Sequence, residues 1–282
     1  MTAAQASPAG TVATPDAGQP KRAGFGHLMQ SEWTKIRSVR STVWSLVLFV
    51  IVSVGFTVLF TALTAANWSQ TGAVQRVRVM ADPVSFIMGA GLGLGQLTIC
   101  VLGALLITTE YSTGVIRSSL LAVPRRVPML AAKAVVFALL ILVVAEVVCF
   151  GIFLTGSAIL HDHAPVSLGD PNVTRAVIGS GLYLTVVALL ALAIGAIIRH
   201  TAGAISTVIG VILVVPILTG LLPGTVGKHI NAYLPAQAGT LIGQAHKQSG
   251  DLLSAWQGFG VLCIWVAVLL GVAVYLLKHR DA

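Results

Sequence analysis

The sequence predicts an all-α, polytopic membrane protein that crosses the bilayer six times, and three observations carry that expectation. The chain of 282 residues is 56% hydrophobic and only 9% charged, where a soluble domain of average composition carries about 25% charged residues. Its mean hydropathy is +0.92, more apolar surface than a soluble fold of this size could hide. Six apolar runs reach the roughly 20 helical residues that a hydrocarbon core requires, and the alternating ten-residue segments of a membrane β-barrel are not visible.

Residues 1–24 are rich in Ala, Thr, Pro, Gly and Gln and nearly devoid of large apolar side chains. They cannot offset the entropy of ordering and read as a disordered cytoplasmic tail, without the apolar core of a signal peptide. Over 25–39, Phe25, Leu28, Met29, Trp33, Ile36 and Val39 recur at helical spacing, while Glu32, Lys35, Arg37 and Arg40 take the other positions. This predicts an amphipathic helix over 25–41 lying in the membrane interface. The six-span membrane domain covers 25–282 together with that helix, with spans at about 43–66, 84–108, 134–160, 176–198, 202–222 and 256–277. The second span contains Gly89, Gly91, Gly93 and Gly95, two overlapping small-xxx-small pairs that permit close helix approach where lipid gives no hydrophobic drive. The three residues 199–201 between the fourth and fifth spans impose a tight helical hairpin.

The basic residues set the orientation. With a cytoplasmic N-terminus the inside holds Lys21, Arg22, Lys35, Arg37, Arg40, Arg117, Arg125, Arg126, Lys133, Arg199, Lys278 and Arg280, twelve of the 17 cations. Arg76, Arg78, Arg175, Lys228 and Lys247 remain outside, sharing their loops with Asp82, Asp162, Asp170 and Asp251. Both termini are therefore expected in the cytoplasm, and interfacial aromatics are expected at Trp44, Trp68, Tyr111, Trp256 and Tyr275. The net charge of +8 does not point to nucleic acid, because the cations lie between apolar runs rather than along a soluble face. Cys100, Cys149 and Cys263 each fall inside an apolar run, which suits small buried hydrophobes better than disulfides or zinc ligands.

Patterns that carry catalysis or ligand chemistry are near misses. Gly224-Thr225-Val226-Gly227-Lys228 ends like a phosphate loop but is too short, and His229 stands where a magnesium-binding hydroxyl is needed. Gly179-Ser180-Gly181 resembles the surroundings of an intramembrane serine nucleophile, yet no histidine lies at span depth to act as base, and small residues there serve helix packing. His161-Asp162-His163 are adjacent on a loop with no second ligand cluster. No catalytic residue and no metal ligand are assigned. Glu146 lies near the middle of the third span, where a charged carboxylate costs about 3 kcal/mol on insertion scales. It is expected to face protein or water, as a polar element of a path or as a hydrogen-bonded carboxyl between helices. Pro216, within the fifth span, removes a backbone donor and predicts a kink.

The connection between spans two and three is the most specific segment. Glu110-Tyr111-Ser112-Thr113-Gly114-Val115-Ile116-Arg117 leads into Ser118-Ser119-Leu120-Leu121-Ala122-Val123-Pro124-Arg125-Arg126. Ile116, Leu120 and Leu121 give an apolar side and Arg117, Arg125 and Arg126 supply charge. An element of this kind fixed between two spans can pass motion from a cytoplasmic partner into the membrane; its bland counterpart is a solvated loop obeying the positive-inside bias.

At these residues the chain resembles the permease subunits of type-2 ABC transporters. The stretch from Ser31 to Thr42, with Glu32, Trp33, Lys35 and Arg37, resembles that family's interfacial N-terminal helix. Glu110, Tyr111, Gly114, Ile116, Arg117 and Pro124-Arg125-Arg126 are similar to its coupling segment. Tyr233-Leu234-Pro235 with Ala238-Gly239 resembles its short re-entrant helices before the last span. The likeness covers about residues 25–280. It implies a permease in a bacterial cell membrane that pairs with a second copy or a relative and with two separate ATPase subunits. ATP and magnesium would be held by those partners, and no cofactor by this chain. It also implies that Arg117, Arg125 and Arg126 contact the ATPase and that Glu110 anchors the end of the second span by pairing with one of these cations. The alternatives are an ATP-independent secondary transporter, which usually shows an internal repeat and several intramembrane charges, and a membrane scaffold for a cytoplasmic partner.

Overall fold

The computed structural model describes residues 24–114, 126–248 and 250–279. Among them the chain is helical without a strand, and six helices are long and apolar enough to cross a membrane. The first helix, α1 (Phe25–Ser38), is separated by Val39 in extended conformation from α2 (Arg40–Ala66), the first span. A short α3 (Ala73–Ala81) precedes α4 (Pro83–Ser112), the second span. Asp82 caps α4: its Oδ1 accepts from Ser85 N at 3.0 Å and its Oδ2 from the Ser85 hydroxyl at 2.6 Å, while Pro83 opens the first turn. The third span is α5 (Arg126–Leu160) and the fourth α6 (Val173–Ile198). The 199–201 turn is as tight as expected, with Arg199 in the left-handed region at φ 60 and α7 (Thr201–Ile209) starting two residues later.

The fifth span is a broken helix. A π-turn (Gly210–Val214) follows α7 and leads into α8 (Val215–Gly220), whose second residue is Pro216. The wide turn accommodates the proline ring and its missing donor, a frequent origin of kinks. Asn231 of α9 (Gly224–Ala232) donates its amide to Pro216 O and to the Thr219 hydroxyl, both at 2.8 Å, so the end of the span is clasped from outside. The would-be phosphate loop is the first part of α9, with Gly227 against Leu222. A short α10 (Pro235–Thr240) and a 3-10 turn (Leu241–Gly243) then pack back against α6 and the last span, α11 (Ala255–His279). Pro235, Ala238, Gly239 and Ile242 are buried there.

The layering follows from burial. In the apolar window of α6, 72% of residues are buried, against 22% in α2, in the fifth span and in α11. The fourth span is thus the core helix, surrounded by α4, α5, α7 and α11, with α2 laid on α4 and α5. Outward, α2 shows Ile51 and Leu59, α5 shows Val143 and Val147, and α11 shows Ile264 and Val268, an apolar perimeter suited to lipid. The small residues of α4 act on two sides. A Cβ on Gly91 would lie 2.8 Å from Ser53 O, and Gly95 sits against Ser53 and Phe49, which sets α2 close to α4. Gly103 lies under Ala188 O and Gly195 under Ala104 O, which sets α4 close to α6. Of the two glycine pairs read from the sequence, Gly91 and Gly95 make the α2 contact, whereas Gly89 and Gly93 face open space.

At the end of the bundle opposite the termini, the Arg175 guanidinium of α6 donates to Ile242 O at 3.1 Å, Gln244 O at 2.7 Å and Ala245 O at 3.4 Å. These carbonyls lie within and just after the 3-10 turn, at a helix end where acceptors run out of intrahelical donors. Arg175→Ala is expected to raise amide exchange across 235–248 with little change in α4 or α5, and mass-spectrometric hydrogen exchange reads this directly. Unchanged protection would mean that packing of Ile242 on Gly179 suffices.

Candidate functional site

Elementary electrostatics makes the buried ionisable groups the first place to look for function, since a charge leaves water only where partners hold it. Four meet at the end of the bundle that carries both described chain ends. Glu32 of α1 faces inward, and its Oε1 accepts from Lys35 Nζ at 2.7 Å. Its Oε2 accepts from Lys133 Nζ of α5 at 2.5 Å. Lys133 also donates to Glu110 Oε1 in the last turns of α4 at 2.7 Å, and Lys35 lies 3.7 Å from the same oxygen. Two carboxylates and two ammonium groups therefore close a neutral cluster joining three helices. The side chains of Lys133 and Glu32 are 2% and 3% exposed, that of Glu110 is 12% and that of Lys35 is 38% exposed, so the cluster is sealed at its centre and open at one edge. A cavity of about 310 Å³ adjoins that edge, lined by Lys35, Ser38, Thr42, Thr109, Glu110 and Lys133 among others.

The local sequence explains the geometry. Met29, Glu32 and Ile36 recur at i, i+3 and i+7 and form the packed side of α1, with Glu32 and Ile36 buried and Met29 half-buried. The apolar face of α1 is consequently split. Ile36 goes inward, while Phe25, Trp33 and Val39 stay 46–47% exposed, because Lys133 draws the Glu32 carboxylate into the contact. Arg37 is exposed on the far side. Lys133 sits two turns inside α5, so the helix runs eight residues earlier than the apolar run alone suggests.

Burial by itself would raise the Glu32 carboxyl, but the Lys133 and Lys35 ammonium groups outweigh it and hold Glu32 below its ordinary value. For Lys35, burial would lower the ammonium, and Glu32 together with Glu110 outweighs it and raises it. A lowered carboxyl contributes stability that is present above its ordinary value of 4.5 and is lost as pH falls through the lower folded value. A raised ammonium contributes stability present in full below 10.5 and lost as pH rises through the higher folded value. Amide protection of α1, corrected for intrinsic exchange, is therefore expected to be flat through neutrality and to fall only at the acid and alkaline extremes. A loss of protection between about pH 6 and 8 would contradict this assignment.

A second fastening lies at the same end. The Arg199 guanidinium donates to Leu276 O of α11 at 3.2 Å and stacks over the Tyr111 ring of α4, 5.1 Å from its centroid. Arg199, in the α6–α7 turn, thus links Tyr111 of α4 to α11.

Glu110 and Tyr111 close α4, and Gly114 follows at φ 72, a left-handed position that favours glycine and turns the chain out of the helix. Ile116, Arg117, Leu120, Leu121, Pro124 and Arg125 lie outside the described residues, as does the tail through residue 23; Arg126 opens α5 and its side chain is likewise not described. Among the described residues, the cations on Glu110 are Lys133 and Lys35. Glu146 and Pro216 stand apart from the cluster. The Glu146 carboxyl fills the space left by the missing side chain of Gly181 on α6, and Pro216 is under the Asn231 clasp. Ser180 donates to Ala176 O within its own helix, His161 and Asp162 are exposed, and the His163 ring lies tilted against Trp68, their centroids 4.9 Å apart. Lys133 is the member that sequence reasoning passed over as an orienting charge; its setting in Leu130-Ala131-Ala132-Lys133-Ala134-Val135 already marks a lysine within a helix-forming apolar run. Compared with known proteins, the chain matches no family model and has no significant match among curated proteins.

Proposed function

We propose that this chain is the membrane-spanning permease subunit of an ATP-driven exporter resembling the type-2 ABC kind, coupled to a separate ATPase by the connection between α4 and α5. The observation that carries this reading is the buried ionic cluster. It ties α1, the end of α4 and the start of α5 into one body at the root of that connection. Force applied to residues 113–125 by a partner would act on three helices at once rather than bend a single loop. Glu110 Oε2 is buried and has no hydrogen-bond partner among the described residues, which leaves an acceptor at the same root. In this reading the end carrying the cluster is cytoplasmic, the membrane is the bacterial cell membrane, and a second permease copy or a relative completes the path. ATP binding and hydrolysis on the partner would bias a bistable arrangement of the spans.

The test is ATP turnover by a complex co-purified in lipid, comparing wild type with Ile116→Asp and Arg117→Glu. Either substitution is expected to release or uncouple the ATPase while the permease keeps its unfolding temperature. If no ATPase accompanies the folded wild type when the partner is expressed, the exporter reading is discarded.

A further inference from the structure

At the end of the bundle opposite the cluster, two cavities share a wall. A vestibule of about 690 Å³ is bordered by Arg78 of α3, Asp82, Ser85 and Phe86 at the start of α4, and the His246-Lys247 stretch. A cavity of about 270 Å³ lies among α4, α6 and the 3-10 turn, lined by Met88, Leu92, Gln96 and Tyr183 among others. Ser85 and Gln248 border both. Their chemistry differs. Arg78 and Lys247 bring two positive charges to the vestibule. Its single carboxylate, Asp82, is occupied on both oxygens by Ser85, and among the described residues neither cation is in an ion pair. No charged residue lines the inner cavity. Two of its polar side chains are paired with each other: the Tyr183 hydroxyl donates to Gln96 Oε1 at 2.6 Å, and the Gln96 amide to Gly93 O at 3.0 Å, while the uncharged amides of Gln244 and Gln248 also line it. Beside these uncharged groups a ligand meets the apolar wall of Met88 and Leu92, with Gly89 and Gly93 leaving its flank open.

The position of α3 says where such a ligand comes from. Val74, Val77 and Met80 are 70%, 64% and 56% exposed on one side, while Val79 is buried on the other. Because α3 joins the ends of two spans, its exposed apolar side lies at the membrane boundary and the vestibule opens at headgroup level. The geometry points to one bipartite site for an anionic phospholipid from that leaflet, with the phosphate between Arg78 and Lys247 and an uncharged portion of the molecule in the cavity beside Gly89 and Gly93. The guanidinium and the ammonium supply charge-assisted donors to phosphate oxygens, and the inner cavity supplies apolar burial without a competing charge. This assignment concerns binding alone and stands apart from any ATPase.

The full-length protein in uncharged detergent is titrated with phosphatidylglycerol, phosphatidylcholine and inorganic phosphate, read by native mass spectrometry and by thermal unfolding. Phosphatidylglycerol is expected to bind about tenfold or more tighter than phosphatidylcholine, and Arg78→Gln/Lys247→Gln to remove that preference. Arg76→Gln, on the same helix but outside the vestibule, is expected to keep it. Gly93→Leu is expected to weaken phosphatidylglycerol about tenfold while leaving inorganic phosphate unchanged. All these substitutions fall on exposed or half-exposed positions, and the Gly93 Cβ direction is open. Equal binding of the two lipids, or an equal loss from Arg76→Gln, would overturn the assignment in favour of general surface charge. Inorganic phosphate binding as tightly as the lipid, with Gly93→Leu silent, would overturn it in favour of a free-anion site.

Discussion

Replacing Lys133 with Met is expected to destabilise the protein by about 3–5 kcal/mol, the range found when one partner of a buried ion pair is removed. Met preserves length and apolar stem and removes only the ammonium. Glu32 Oε2 and Glu110 Oε1, both bonded to that ammonium, would then face each other in a setting where Glu32 is 3% exposed. Lys35, 2.7 Å from the other oxygen of Glu32 and 3.7 Å from Glu110 Oε1, would offset only part of the loss, because it is 38% exposed and its charge is screened by solvent. Thermal unfolding in detergent should show a large drop in midpoint, with α1 the first element to lose amide protection. The triple replacement Glu32→Gln, Glu110→Gln, Lys133→Met tests the cause, since removing all the buried charges should recover most of the loss. A single Lys133→Met protein as stable as wild type would show that the cluster is not a structural fastening.

The second large effect is expected at Gly103. A Cβ there would lie 2.6 Å from Ala188 O and 3.2 Å from Ala191 Cβ on α6. The obstruction is helix backbone, which cannot step aside as a flexible side chain can. Gly103→Val should therefore push α4 off the core helix and cost about 1–3 kcal/mol or more, the range for overpacking a close-packed interior. Gly89→Ala and Gly93→Ala, whose Cβ directions meet nothing within 4 Å, should stay within about 0.5 kcal/mol of wild type. Unfolding midpoints of the three proteins in one detergent check the contrast. Equal behaviour of Gly103 and Gly93 would mean that the seam between α4 and α6 is looser than its geometry indicates.

The six spans were legible because length and composition encode them locally. A run that must satisfy its own backbone in hydrocarbon has few alternatives to a helix. The edges were less so. The apolar run of the third span stops at Lys133, yet α5 begins at Arg126, since the lysine is neutralised by Glu32 and Glu110 and the helix continues through it. Glu32 and Lys133 are 101 residues apart, and nothing in the neighbourhood of either names the other. The glycines of α4 announced close approach, but only the packing tells that Gly91 and Gly95 face α2 while Gly89 and Gly93 do not. The short α3 escaped notice because its nine residues divide their valines between two sides, Val79 inward and Val74 and Val77 outward. Pro216 marked a kink in advance; that a π-turn takes up the distortion before it and Asn231 clasps it afterwards depends on residues placed there by the fold.

The hydroxyls along the buried face of α2 carry one further meaning. Thr57 donates to Ser53 O and Thr61 to Thr57 O, each within its own helix, and among the described residues no hydrogen bond crosses from α2 to α4. The two helices touch through small side chains, among them Ser53, whose buried hydroxyl has no hydrogen-bond partner among the described residues, whereas α4 is tied to α6 by the Tyr183–Gln96 bond and by the backbone contacts of Gly103 and Gly195. Sliding α2 along α4 would break no interhelical polar contact, while the same displacement of α4 on α6 would. The first span is thus held on α4 by steric fit alone, through Gly91 and Gly95, while α4 and the core helix are keyed by a hydrogen bond as well as by shape.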